Sequence, residues 1–209
     1  MIARPSLPVP LFALAALLAL AVPVLTDWAP LDRADHALSE AFRAYGQPRP
    51  DLVSALRILT DVAATVPFMA AGLLAAILLA VRCDRPAAVF CATVTVTVPV
   101  LWGLAHWLLY NPRPLDGFVV VTSNGFPSGH TSNAVAAALA VVLLTWPRLA
   151  RTGRLVVVSV ATAFALFVSL TRVALLAHWP TDVLGGWLLA LTVVPLAAYA
   201  ARGRIPART

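Results

Sequence analysis

Six long stretches of this chain carry no charged side chain: roughly residues 7–25, 62–81, 87–105, 131–146, 155–170 and 183–201. About twenty apolar residues in a helix cross the roughly 30 Å of bilayer hydrocarbon. In lipid, each backbone N–H and C=O must find its partner within the protein, which a helix achieves by itself. Six such runs in 209 residues leave little sequence for anything except a bundle of membrane helices. The runs 131–146 and 155–170 are the shortest and lie near the lower limit of about 17 residues. They are expected to sink slightly at their outer ends or to thin the bilayer around them.

Composition agrees. The chain is 61% hydrophobic and 11% charged, against about half and about a quarter for soluble domains. This excludes a soluble globule, a disordered chain and a fibrous repeat. The two cysteines, Cys83 and Cys91, do not make a disulfide scaffold or a metal spacing and read as small buried apolar residues. The net charge is +6. No lysine is present, and the fifteen arginines are dispersed, without a soluble basic face to follow phosphates; nucleic acid is not an expected partner.

Arginine placement predicts orientation. Arg4, Arg82, Arg85, Arg148, Arg151, Arg154, Arg202, Arg204 and Arg208 fall on the side of the amino terminus, with Asp84 the sole acid. Arg33, Arg43, Arg49, Arg57, Arg113 and Arg172 fall on the other side with the remaining acids. Basic short loops stay in the cytoplasm, so both termini are expected inside. The first run resembles a signal peptide in its Ala19-Leu20-Ala21 triplet, but its length and Pro23 favour a retained span. In the first outer loop, Leu31, Ala34, Leu38, Ala41, Phe42 and Tyr45 recur at helical spacing up to Gly46. They predict an interfacial helix that is either a packing strut or a lid. Asp51, after Pro50, is expected to cap the helix entering the second span.

The reactive residues collect in the two other outer loops. Pro112 and Pro114 stiffen the backbone around Arg113. Arg113 and Arg172 offer planar donor forks that match phosphate oxygens. Ser128 and Gly129 open the fourth span, where free N–H groups and the helix dipole favour an anion. Ser128 is placed to cap that helix, and Gly129 to let an oxyanion approach the backbone. His178 and Asp182 are four apart, which brings them together on one helical face. Asp182 then fixes the imidazole tautomer and frees its other nitrogen to attack. With His130 as acid, this makes a phosphoryl-transfer site whose charge is supplied by arginine and helix dipole, with no metal and no cofactor required.

Three segments together resemble the signature motifs of the type-2 phosphatidic acid phosphatase family, the lipid phosphate phosphatases, which share a histidine phosphatase core with vanadium haloperoxidases. Arg113-Pro114 fits the end of the first motif, although its lysine position holds His106. Pro127-Ser128-Gly129-His130 fits the second completely. Thr171-Arg172, His178 and Asp182 fit the third, with threonine in place of serine. The resemblance implies an all-α, six-span bundle acting as one membrane-integral domain over residues 1–209. It implies His178 as nucleophile, Asp182 as its orienting carboxylate and His130 as acid. Arg113, Arg172, Ser128, Gly129 and His106 would bind phosphate, His106 more weakly than a lysine. The implied substrate is a lipid phosphate or diphosphate, with membrane lipids as the surroundings and the site extracytoplasmic. A phosphotransferase, a non-catalytic lipid-phosphate-binding protein and a small transporter remain alternatives.

Overall fold

The computed structural model describes residues 2–203. Over these the chain forms α1 (Pro8–Leu25), α2 (Ala29–Gly46), α3 (Pro50–Thr60), α4 (Thr65–Val81), α5 (Arg85–Leu108), α6 (Gly129–Thr145), α7 (Arg151–Ala174) and α8 (Pro180–Gly203), with no strand among the described residues. Six segments are long and apolar enough to cross a membrane: α1, the broken pair α3–α4, then α5, α6, α7 and α8. Arg204 and Arg208 of the orientation argument lie outside the described residues.

α8 is the most buried of the six and packs against α1, α5 and α6. The core between them is made of small and β-branched residues: Val94 and Val98 of α5, Val135 of α6, and Ala190, Val194 and Ala198 of α8. Lipid tails are as apolar as leucine, so burial from water does not hold these helices together. Close packing of small residues does. Leucines face outward instead, as with Leu18 of α1, Leu74 of α4 and Leu155 of α7.

At the end of the bundle that holds the amino terminus, the segment before α1 is pinned. Ala3 N–H donates to Leu143 O, Arg202 to Ile2 O, and the Tyr199 hydroxyl to Pro5 O. Arg148 pairs with Asp84 at 3.2 Å between two loops of the same end.

The interfacial helix forms as expected, and its orientation shows why. α2 turns Asp35, Ser39 and Gly46 to the protein, while Leu38 and Tyr45 are exposed. Its polar stripe packs and its apolar stripe is left for the headgroup boundary. Gly46 ends the helix without a left-handed φ. Its lack of a side chain matters because a Cβ there would lie 2.7 Å from the Phe118 ring.

Several expectations are corrected. The fifth span is not short, since α7 has 24 residues. Counting only uncharged residues missed its ends, because Arg151 and Arg154 begin the helix and Arg172 lies inside its last turn. The second span is broken, with a 3-10 turn over Asp61–Ala63 separating α3 from α4. Asp51 caps nothing: Arg49 is the N-cap residue and Pro50 takes the first helical position. Cys91 is buried, but Cys83 is exposed in a turn with φ 60°.

α4 and α5 meet tightly at Gly72. A Cβ there would lie 2.0 Å from Thr95 Oγ1 and 3.0 Å from its Cβ and Cγ2. Threonine is stiff at χ1, so the contact does not relax cheaply. Gly72→Ala is expected to destabilise by about 1–3 kcal/mol through overpacking. Thermal unfolding in detergent should show a lowered midpoint that a second change, Thr95→Ala, restores.

Candidate active site

The site lies at the end of the bundle opposite Ile2 and Arg202. It is assembled from the ends of α5, α6, α7 and α8 and from the long segment between α5 and α6. Asp182 is its fixed point. It is fully buried and occupies the first turn of α8. Its Oδ2 accepts from Trp179 N–H at 3.0 Å and lies 3.3 Å from His178 Nδ1; its Oδ1 accepts from Asn111 Nδ2 at 2.8 Å. The bond back to Trp179 is half of a capping box. His178 therefore precedes the helix, and the pair meets through the capped turn rather than along one helical face. Gly125 makes room for the carboxylate, since a Cβ there would lie 2.6 Å from Asp182 Oδ2.

His178 is 2% exposed. Its Nε2 lies 2.8 Å from Arg113 Nη1, a donor without acceptor capacity. The same Nη1 is 3.2 Å from Nδ1, so Asp182 decides between the two nitrogens: its Oδ2 faces Nδ1 and accepts the proton there, which leaves Nε2 as the accepting nitrogen. Burial lowers the His178 pKa well below 6.5, and the positive charges of Arg113 and Arg172 push the same way, as do the neighbouring His106 and His130 rings. The imidazole is neutral near pH 7. All four of these groups act on one ring, which places the three motifs in one electrostatic neighbourhood.

Arg113 is held by the loop it anchors. Nε donates to Ser123 O at 2.7 Å, Nη2 to Asn124 O at 2.9 Å and to Ser123 Oγ at 3.1 Å, and Nη1 to Ala177 O at 2.6 Å. Burial lowers its pKa, and Asp182 opposes that. Arg172 contrasts with it. It is 4% exposed, its Nη1 makes only a 3.4 Å contact to Thr60 Oγ1, and its Nε has no hydrogen-bond partner. Thr171 Oγ1 lies 2.6 Å from Val168 O and 2.8 Å from Thr60 Oγ1, so the threonine in the serine position fastens α7 to α3.

Ser128 is the N-cap residue of α6, yet its side chain does not cap. Its buried Oγ has no partner, and neither has His130 Nε2. His130 Nε2 lies 4.0 Å from Asp61 Oδ1. Gly129 is buried, but the space beside its α-carbon belongs to Trp102, whose ring would lie 3.0 Å from a Cβ. The glycine admits the indole, while the first N–H groups of α6 remain without intrahelical partners. His106 is buried facing the same cluster. Its Nε2 lies 2.8 Å from Pro127 O, its ring centroid is 6.4 Å from that of His178, and its edge meets Trp102. One of its two nitrogens thus holds the loop before α6.

Four contributors have no reactive signature in sequence: Asn111, Gly125, Thr60 and Asn124, whose Nδ2 donates to His106 O at 2.9 Å. Asn111 stood two residues before Arg113 and could have been suspected as a buried amide; the others carried no signal.

α2 reaches the site through Asp35. This buried carboxylate accepts from Thr181 N–H at 3.1 Å and from the Thr181 hydroxyl. Burial raises its pKa, and the Thr181 bonds oppose the rise. His36 packs against Trp179 at a tilt, with centroids 4.5 Å apart, and Arg43 donates to Leu115 O and Asp116 O. α2 therefore braces both loops that carry the site.

The chain belongs to the PAP2 superfamily, whose family model matches residues 11–206. Its fold is similar to that of a transmembrane PAP2-type phosphatidylglycerolphosphate phosphatase from Bacillus subtilis, known from a crystal structure. The two share 24% identity with a TM-score of 0.79, over 96% of this chain and 99% of that one. No curated protein sequence matches.

Asp35→Ala removes two hydrogen bonds to a buried carboxylate. About 1.5–3 kcal/mol of stability is expected to go with each well-formed charged bond. The unfolding midpoint in detergent should fall, and turnover should fall with it, because Thr181 adjoins Asp182.

Proposed function

We propose that this protein hydrolyses a lipid phosphate through a phosphohistidine on His178, at the extracytoplasmic face of the membrane. The observation that carries the reading is a set of buried donors without acceptors beside a neutral imidazole backed by a carboxylate. Arg172 Nε, Ser128 Oγ and the first N–H groups of α6 are all of this kind. Buried polar groups are normally hydrogen-bonded. A phosphate has the oxygens to satisfy these together.

The geometry supports the following course of reaction. An entering phosphate draws the Arg113 guanidinium from His178 Nε2 onto its own oxygens. The freed lone pair forms the N–P bond as the P–O bond to the leaving group breaks. His130 delivers a proton to the departing oxygen, and Asp182 stabilises the charge that develops on His178. Water then attacks phosphorus, its proton returns to His130, and Nε2 departs. Arg113, Arg172 and the helix start neutralise the phosphoryl oxygens, so no step draws on a metal ion.

The membrane supports a lipid as substrate. α6 rises about 25 Å over its 17 residues, which supports a position for His130 near headgroup depth. An apolar groove of about 300 Å³ runs from Ala63 and Asn133, close to His130, down between α4, α5 and α6. The arginine distribution supports inner termini and an outer site.

Phosphate release from detergent-dispersed phosphatidate or phosphatidylglycerol phosphate tests the reading. His178→Ala is expected to fall to the blank while remaining folded, and His130→Ala to lose about 10²–10⁴-fold. Wild-type activity should persist in EDTA. Full activity of His178→Ala would remove the phosphohistidine. The pH profile carries a second expectation. Because the folded-state His178 pKa is depressed, the neutral form persists below 6.5. kcat/KM should hold its plateau at pH 6 and decline only in more acidic buffer. A decline centred at or above pH 6.5 would contradict the buried, cation-flanked imidazole.

A further inference from the structure

The carboxylates near the site differ in how far they are engaged. Asp182 is fully engaged by Asn111, Trp179 and His178, and Asp35 by Thr181. Asp61 sits in the 3-10 break between α3 and α4 with 74% of its side chain exposed. Its Oδ1 is 4.0 Å from His130 Nε2, beyond hydrogen-bonding length, and its charge also reaches Arg172. The charged and titratable groups around His130 are thus Asp61 from the break, Arg172 from α7, Arg113 from the long loop, and His178 across the site.

We infer that Asp61 is a specificity-determining residue that selects lipid phosphomonoesters against lipid diphosphates. The inference rests on the reading of His130 as the acid.

His130 Nε2 is the unpartnered atom, so the departing oxygen meets it at about 2.8 Å. Asp61 Oδ1 then lies within about 7 Å of that oxygen. With a monoester, the P–O bond breaks, the oxygen takes the His130 proton, and a neutral alcohol departs past Asp61. With a diphosphate, the same bond-breaking releases a lipid monophosphate. That product keeps at least one negative charge after protonation, directly beside the carboxylate. Like charges about 6 Å apart at an effective dielectric near 40 repel enough to change a rate several-fold. The arginines are less able to offset this, because they face the phosphoryl group that stays on His178. Asp61 also has a favourable use with the monoester, as an acceptor for hydroxyl groups on the alcohol.

Farnesyl phosphate and farnesyl diphosphate share one tail and differ only in the leaving group, so their kcat/KM ratio isolates the effect. The full-length protein in detergent is assayed for phosphate release, with His178→Ala as blank. Asp61→Asn is expected to raise the diphosphate-to-monophosphate ratio about five-fold, and Asp61→Glu to stay within two-fold of wild type. Because Asp61 is exposed, both variants should keep the wild-type unfolding midpoint. A ratio unchanged or lowered in Asp61→Asn, with the monophosphate still turned over, overturns the role of Asp61 and leaves the phosphatase reading intact. No release from either substrate by the wild type, nor from phosphatidate, overturns the phosphatase reading itself.

Discussion

The buried carboxylate of Asp182 is the point on which the site end of this molecule depends. It is fully buried, and a charge in that position is costly unless each oxygen is engaged. Oδ1 takes the Asn111 amide; Oδ2 takes the Trp179 N–H and faces His178. Those three partners belong to the α5–α6 segment, to the start of α8 and to the site itself. One residue thus caps a helix, ties down a loop and sets an imidazole tautomer. Gly125 is glycine because the carboxylate stands where a Cβ would be.

Around that point the molecule divides its work by depth. Within the bilayer, alanine and valine let α1, α5, α6 and α8 approach closely, and leucines are left to the lipid. At the site end the packing turns polar. Thr60, Asn111, Ser128, Thr131, Asn133, Thr171 and Arg172 are all buried there. Some are engaged and some are not. Asn111 and Thr171 fasten elements together, whereas Ser128 Oγ and Arg172 Nε stay unpartnered. Unpartnered donors in a buried place are a standing cost, and an anionic ligand is what would remove it. α2 completes the arrangement from outside, because Asp35, His36 and Arg43 each grip a different part of the two loops.

Much of this was legible in the sequence. The uncharged runs gave the six spans, and the period of Leu31, Ala34, Leu38 and Tyr45 gave α2. Motif spacing picked out His130, His178, Asp182, Arg113 and Arg172. The errors share a cause: a local rule was applied where a tertiary contact decided. The α7 ends were misplaced because charge was read as the end of the span, although Arg151 and Arg154 begin the helix and the buried Arg172 lies in its last turn. Ser128 looks like a cap, but its hydroxyl makes no capping hydrogen bond. Gly129 looks like room for an anion, but Trp102 fills the space beside it. His106 stands where the family has lysine, and one of its nitrogens is engaged by the Pro127 carbonyl.

Sequence alone therefore determined what lipid imposes: the number of spans, their approximate limits and the residue types that can do phosphoryl chemistry. Hydrocarbon demands uncharged length, and reactive groups are few and recognisable, so both leave a mark in a linear pattern. Tertiary structure decided which of those groups are engaged and which are open. It put Arg113 on His178 Nε2, left Arg172 Nε and Ser128 Oγ unpartnered, and set Asp61 beside His130. The Arg113–His178 and Asp61–His130 contacts join residues 65 and 69 positions apart, and the Arg172–Thr60 contact spans 112. No spacing rule reaches that far, because such pairs are chosen by how helices pack and not by their own periodicity.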